Sequence, residues 1–78
     1  MYTFEITNEN GLSDNYEHII KASYDKPSAN GLKIVVVENE DIFEHRYPTS
    51  HDLHLYSESE AYTISKNIIS RIKITREK

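Results

Sequence analysis

Seventy-eight residues without a cysteine make at most one domain, with neither disulfides nor thiolate metal ligands to support a small core. A core of that size supplies only ~3–5 kcal/mol by itself, which leaves oligomerisation or a partner as the remaining supports. The net charge of −4 argues against non-specific nucleic-acid binding, which needs a basic surface, and the longest apolar run, Ile34–Val37, is far short of the ~20 residues of a membrane-spanning helix.

The opening MYTFEITNEN has neither the basic start nor the continuous apolar run of a signal peptide, so the expectation is a soluble, cytoplasmic chain with no membrane partner. Residues 2–7 alternate: Tyr2, Phe4 and Ile6 on one side, Thr3, Glu5 and Thr7 on the other, the period of a half-buried strand. NENGLSDN (8–15) is a turn by composition, its Asn, Asp and Ser side chains suited to bonding the backbone. Residues 16–24 read as a strand with Tyr16, His18, Ile20, Ala22 and Tyr24 on one face; a helix reading would gather Tyr16, Ile19, Ile20 and Tyr24 in a stripe. The strand reading is preferred because DKPSANG (25–31) then forms a seven-residue hairpin loop.

LKIVVVE (32–38) is the clearest strand, its β-branched density fitting a pleated central position. Val35, Val36 and Val37 make it apolar on both faces, which suggests one face in the core and the other against a partner. After a short turn at 39–41, residues 42–47 are expected to return as its hairpin partner and to end at Pro48. Ser57 followed by Glu60 reads as a capping box, and Ala61, Ile64, Ile68 and Ile72 recur at three- and four-residue steps, so the pattern predicts a helix over 58–71. IKIT (72–75) alternates and reads either as a last edge strand or as the fraying end of that helix. The predicted fold class is α+β: one domain over 1–78, a small antiparallel sheet of four to five strands with one C-terminal helix packed on a face.

HRYPTSHDLH (45–54) holds three of the four histidines. His45, His51 and His54 with Asp52 make a nominal zinc set, but the spacing matches no zinc motif, and the stretch reads mainly as a connection anchored by Leu53 or Leu55. Ser50, His51 and Asp52 are consecutive, and chain neighbours diverge rather than converge as a catalytic triad must. With only two glycines, the phosphate- and dinucleotide-binding loops are out of reach. A chain this short has little room for both a core and a walled pocket. The expectation is therefore no enzyme, no cofactor and no catalytic or metal residues.

Charge is unevenly spread. Glu38, Glu40, Asp41 and Glu44 cluster around Ile42 and Phe43, while Lys66, Arg71, Lys73, Arg76 and Lys78 collect at the C-terminus. Six tyrosines add side chains that serve cores and interfaces alike. The acidic turn with Phe43 reads as a docking knob for a basic partner, steering encounter by complementary charge. The site residues predicted for partner binding are Glu38, Glu40, Asp41, Phe43 and Glu44. This profile (short, cysteine-free, acidic, Tyr-rich) resembles in style the small accessory proteins of phages and mobile elements. That likeness of composition implies an anti-defence type of inhibitor that binds and blocks a larger protein. The leading expectation is a non-enzymatic protein-binding module using an acidic, Tyr-rich surface against a larger protein with a basic face of the kind that binds nucleic acid. The first alternative is a small nucleic-acid-binding regulator using the basic C-terminal segment, and the second a small His-rich metal-binding domain. A homo-oligomer is compatible with each.

Overall fold

The computed structural model describes residues 1–78. Seven strands, β1 (Tyr2–Thr7), β2 (Ser13–Ile19), β3 (Lys21–Ser28), β4 (Gly31–Glu38), β5 (Leu53–Tyr56), β6 (Ala61–Ile64) and β7 (Arg71–Arg76), form two antiparallel sheets. One has the order β2-β1-β7 and the other β4-β3-β5-β6. Strand makes up 55% of the chain, and helix is confined to a single turn, α1 (Asp41–Glu44), and a three-residue 3-10 turn at Lys66–Ile68. This overturns the α+β expectation: the chain is a two-sheet β structure, and no C-terminal helix exists.

The core lies between the sheets. Tyr2, Phe4 and Ile6 of β1 and Ile19 of β2 meet Ala22 and Tyr24 of β3, Val37 of β4, Leu53 and Leu55 of β5, and Ile64 of β6, with Ile42 of α1 and Ile69 closing the ends. The alternation read at residues 2–7 is the strand observed, with its apolar side inward. At residues 8–15 the Asn8 side chain accepts the amides of Asn10 and Leu12, as the composition suggested, although β2 already starts at Ser13.

The predicted strand 16–24 is two strands in different sheets. His18 takes a left-handed backbone (φ 60°), the β1–β2 register shifts between Tyr2 and Phe4, and the chain crosses to the other sheet at Ile20, whose amide donates to the Tyr56 carbonyl at 2.8 Å. Corners of this kind, where a strand changes sheets at a bulge, let two sheets share one core. The next hairpin is tighter than predicted. Ser28 pairs with Gly31 across the two-residue loop Ala29–Asn30, and Pro27 sits within the ladder opposite Leu32. Gly31 adopts φ +114°, a backbone that favours glycine. β5 covers the far edge of β3 only over Lys21–Ser23, so Pro27 costs that edge no ladder bond.

The strand at 32–38 is real, but it is not central. β4 lies at the edge of its sheet, and its hairpin partner is β3, not residues 42–47. Those residues form α1 and a connection instead, after Asn39 turns the chain at φ 58°. Ile42 of α1 is fully buried and pins the turn to the core.

The predicted helix at 58–71 is a hairpin and a strand start. The Ser57 hydroxyl accepts the Glu60 amide at 3.0 Å, the same bond a helix cap makes. Here, however, the Ser57 amide donates to the Glu60 carbonyl at 2.8 Å, closing a four-residue loop between paired Tyr56 and Ala61. Thr63, Ile64, Ile68, Ile69, Ile72, Ile74 and Thr75 are all β-branched and lose side-chain freedom in a helix. In period two, Tyr62 and Ile64 face the core, whereas Ala61 and Ile68, which a helix stripe would bury, are exposed. The alternation at 72–75 holds: β7 pairs with β1 along its length, Ile72 opposite Ile6 and Ile74 opposite Phe4.

Candidate functional site

β4 is a hairpin arm as well as an edge. From Asp25 to Ile34 every residue of the β3–β4 hairpin is exposed. Strand alternation sends Val35 and Val37 toward the core and Leu32, Ile34 and Val36 to the outer face, where they keep 72%, 66% and 52% of their surface in water. These are the three most solvated β4 hydrophobics, and they stand in a row.

α1 brings acid to this edge. A groove of about 350 Å³ runs along β4, lined by Val35, Val36, Val37, Asp41, Glu44 and His45. Asp41 and Glu44 are exposed and form no ion pair with any basic side chain. The five predicted site residues are therefore divided by the fold. Asp41 and Glu44 border the groove, and Glu38 ends β4 opposite Lys21. Glu40 and Phe43 turn away to Arg76: the guanidinium bonds the Glu40 carboxylate at 3.0 Å and stacks 3.9 Å over the Phe43 ring. That bond holds the Glu40 carboxyl below the usual range, with the Tyr2 hydroxyl assisting. Glu40 and Phe43 thus fasten α1 to β7.

The tyrosines do not form a surface. Tyr2 and Tyr24 are buried, and Tyr16, Tyr47, Tyr56 and Tyr62 are half-buried. Tyr47 packs edge-on against Phe4, with ring centres 5.4 Å apart, and donates its hydroxyl to the Ile42 carbonyl at 3.0 Å. Burial raises its phenol pKa.

The histidines of residues 45–54 do not meet one another: two flank Tyr24 and one lies on the β5–β6 ladder. His45 bonds the Tyr24 hydroxyl at 2.7 Å, His51 stacks on the Tyr24 ring, and His54 meets Thr63 across the β5–β6 ladder. Asp52 accepts the Lys66 amide at 2.8 Å. No three His, Cys, Asp or Glu side chains converge in metal-ligand geometry; the His-rich stretch runs from α1 into β5, where Leu53 is buried.

On the other flank of α1 lies a groove of about 430 Å³ lined by Phe43, His45, Arg46, Tyr47, Thr49, Ser70, Arg71, Ile72 and Ile74. Arg46 and Arg71 are both exposed there, and neither has a carboxylate partner.

Sequence reasoning placed one face of β4 against a partner but did not name Leu32, Ile34 and Val36 as site residues. Their signal was present in a strand apolar on both sides, since a strand with one face in the core and no second layer must show the other face to water. No helix is long and apolar enough to cross a membrane. No protein-family model, curated protein or solved structure matches the chain.

Proposed function

We propose that this chain is a non-enzymatic protein-binding module that docks an extended, basic segment of a larger protein against the open edge of β4. The observation that carries this reading is an eight-residue apolar edge strand with unpaired carboxylates beside it. A strand added to a sheet edge gains main-chain hydrogen bonds, and side chains at alternate positions supply selectivity. Asp41 and Glu44 then favour lysine or arginine in the incoming segment and speed its encounter. An inhibitor acting this way occupies a basic face of its target, in keeping with the overall acidity.

The test follows from how the five predicted residues divide. Reversing Glu40 would break its internal bond to Arg76, so the informative variant is Asp41→Lys with Glu44→Lys, both exposed. Proteins captured from the native source by the wild-type chain should be lost with this variant, and their retention should fall steeply with salt. Capture of the same proteins by both chains, at every salt concentration, would sink the reading.

A second reading, nucleic-acid binding, draws on the groove holding Arg46 and Arg71. The basic C-terminus is not a free tail. Deleting residues 73–78 would remove most of β7, so the appropriate variant is Arg46→Ala with Arg71→Ala. Under this reading the wild-type chain shifts a single-stranded oligonucleotide at low salt and the variant binds it about tenfold more weakly; equal mobility of both chains counts against it.

A further inference from the structure

The sheets have four edge strands, β2, β7, β4 and β6, and three carry the features that keep edges from pairing. β6 is four residues long. β2 has an irregular register and carries Asp14, Glu17 and His18. β7 presents Arg71, Lys73 and Arg76. β4 carries the fewest of them, Lys33 within the strand and Glu38 at its end. It runs for eight residues and pairs with β3 without a register shift.

Resting on the docking reading of this same edge, we propose that a second copy of the chain occupies it, with β4 pairing antiparallel to β4 about a two-fold axis perpendicular to the sheet. Two four-stranded sheets would then join into one continuous sheet.

The strand is self-complementary under that operation. Residues directly opposite in an antiparallel pair share a face of the sheet, so a two-fold axis must pass through a residue and not between two. With the axis at Ile34, Ile34 meets the second copy's Ile34, and Leu32 meets the second copy's Val36. The solvated row then lies side by side with its own counterpart on the outer face, each shielding the other's flank. On the opposite face Lys33 lands against the second copy's Val35, beside the groove that holds Asp41 and Glu44. Lys26 lies opposite Lys33 in the β3–β4 ladder and places a second cation on that side. Moving the axis to Val35 puts Lys33 against Val37, which lines the same groove, so the charge match survives a change of register. The Ile34 axis is preferred because it leaves no apolar member of the row facing a charge. The two-fold makes every such contact twice, as an isologous interface requires.

An edge-to-edge contact buries less than the ~1,200–2,000 Å² of standard stable complexes, so the dimer should exchange with monomer and respond to concentration. Sedimentation equilibrium of the wild-type chain from about 10 µM to about 1 mM should show monomer passing to dimer. Ile34→Lys, at an exposed position, should stay monomeric with an unchanged circular dichroism spectrum. Lys33→Glu should weaken association about tenfold or more, and adding Asp41→Lys and Glu44→Lys to it should restore association to within about threefold of wild type. Because the chain has no cysteine, Ile34→Cys would carry the single thiol and should form an intermolecular disulfide under mild oxidation.

A wild-type chain monomeric throughout that range overturns the proposal. So does a dimer that persists in Ile34→Lys, or a dimer in which Ile34→Cys fails to cross-link. The docking reading is tested separately: a basic segment of a larger protein held at this edge is released by Asp41→Lys with Glu44→Lys and held as tightly or more tightly by Lys33→Glu, whereas the dimer is weakened by both.

Discussion

Phe4→Ala is expected to leave the chain largely unfolded at 25 °C. Phe4 is fully buried in β1, the middle strand of its sheet, and its ring packs edge-on against Tyr47. Truncating a buried phenylalanine removes transfer free energy and leaves a cavity, costing about 3–5 kcal/mol. A domain of this size, without disulfides, holds only about that much in total. The cavity would also unseat Tyr47, whose hydroxyl otherwise satisfies the Ile42 carbonyl of α1. The loss should therefore reach the β4 groove as well as the core. Thermal melting followed by far-UV circular dichroism checks this. A cooperative melt within about 5 °C of wild type would mean a cost near 1 kcal/mol and a Phe4 site able to collapse around the missing ring.

Glu77→Gln is expected to destabilise the fold by about 2 kcal/mol at neutral pH, and the difference from wild type should vanish in acid. The Glu77 carboxylate gathers three donors: the Thr3 hydroxyl at 2.8 Å, the His18 amide at 2.7 Å and His18 Nδ1 at 2.8 Å. The His18 backbone bond is the largest cause of its depressed pKa, to about 2, and the Thr3 and His18 side chains add to it against the cost of burial. The side chain keeps 20% of its surface in water, so the full linkage value is discounted for solvent screening. The sign follows from the depression. The folded chain holds Glu77 ionised below the pH at which the unfolded chain protonates it. The stabilisation is complete above the ordinary glutamate value of 4.5 and is lost as pH falls from there toward about 2. Urea melts of both chains from neutral pH to about pH 2 would show this as two stability curves converging in acid; a gap of constant size across that range would remove Glu77 from the role. The residue matters because it ties the chain's end to the left-handed His18, where the β1–β2 ladder shifts and the chain prepares to change sheets.

Only part of the candidate site could be seen in the amino-acid order. The carboxylates at 38–44 stand together in the sequence, so their concentration near one turn was legible. Their division was not, because Arg76, which takes Glu40 and Phe43 out of the site, is more than thirty residues away and arrives only when β7 pairs with β1. The tyrosines illustrate the same limit. Their amphipathic chemistry suits core and interface equally; the two-sheet core took in Tyr2 and Tyr24 and packs Tyr16, Tyr47 and Tyr62 against it, while Tyr56 lies outside it beneath Lys21.

By itself the amino-acid order determined the local features. The alternation at 2–7 and 72–75, the β-branched run of β4 and the side-chain-bonded turn after Asn8 each depend on periods and contacts within a few residues, so they appear in the structure as read. The Ser57–Glu60 pair was local too, yet ambiguous: a serine that accepts the amide three residues on starts a helix or closes a hairpin with the same bond. The choice fell to the tertiary structure, which offers Ala61–Ile64 a ladder with β5 and offers Ile64 a place between the sheets. Long-range pairing likewise decided that residues 13–28 divide at Ile20 between two sheets. It also decided that β3, not 42–47, flanks β4, and that the far side of β4 is left open. Strand period and β-branching report that a segment will be strand; they carry no information about which neighbour fills each edge, and the open edge is where the proposed chemistry of this protein lies.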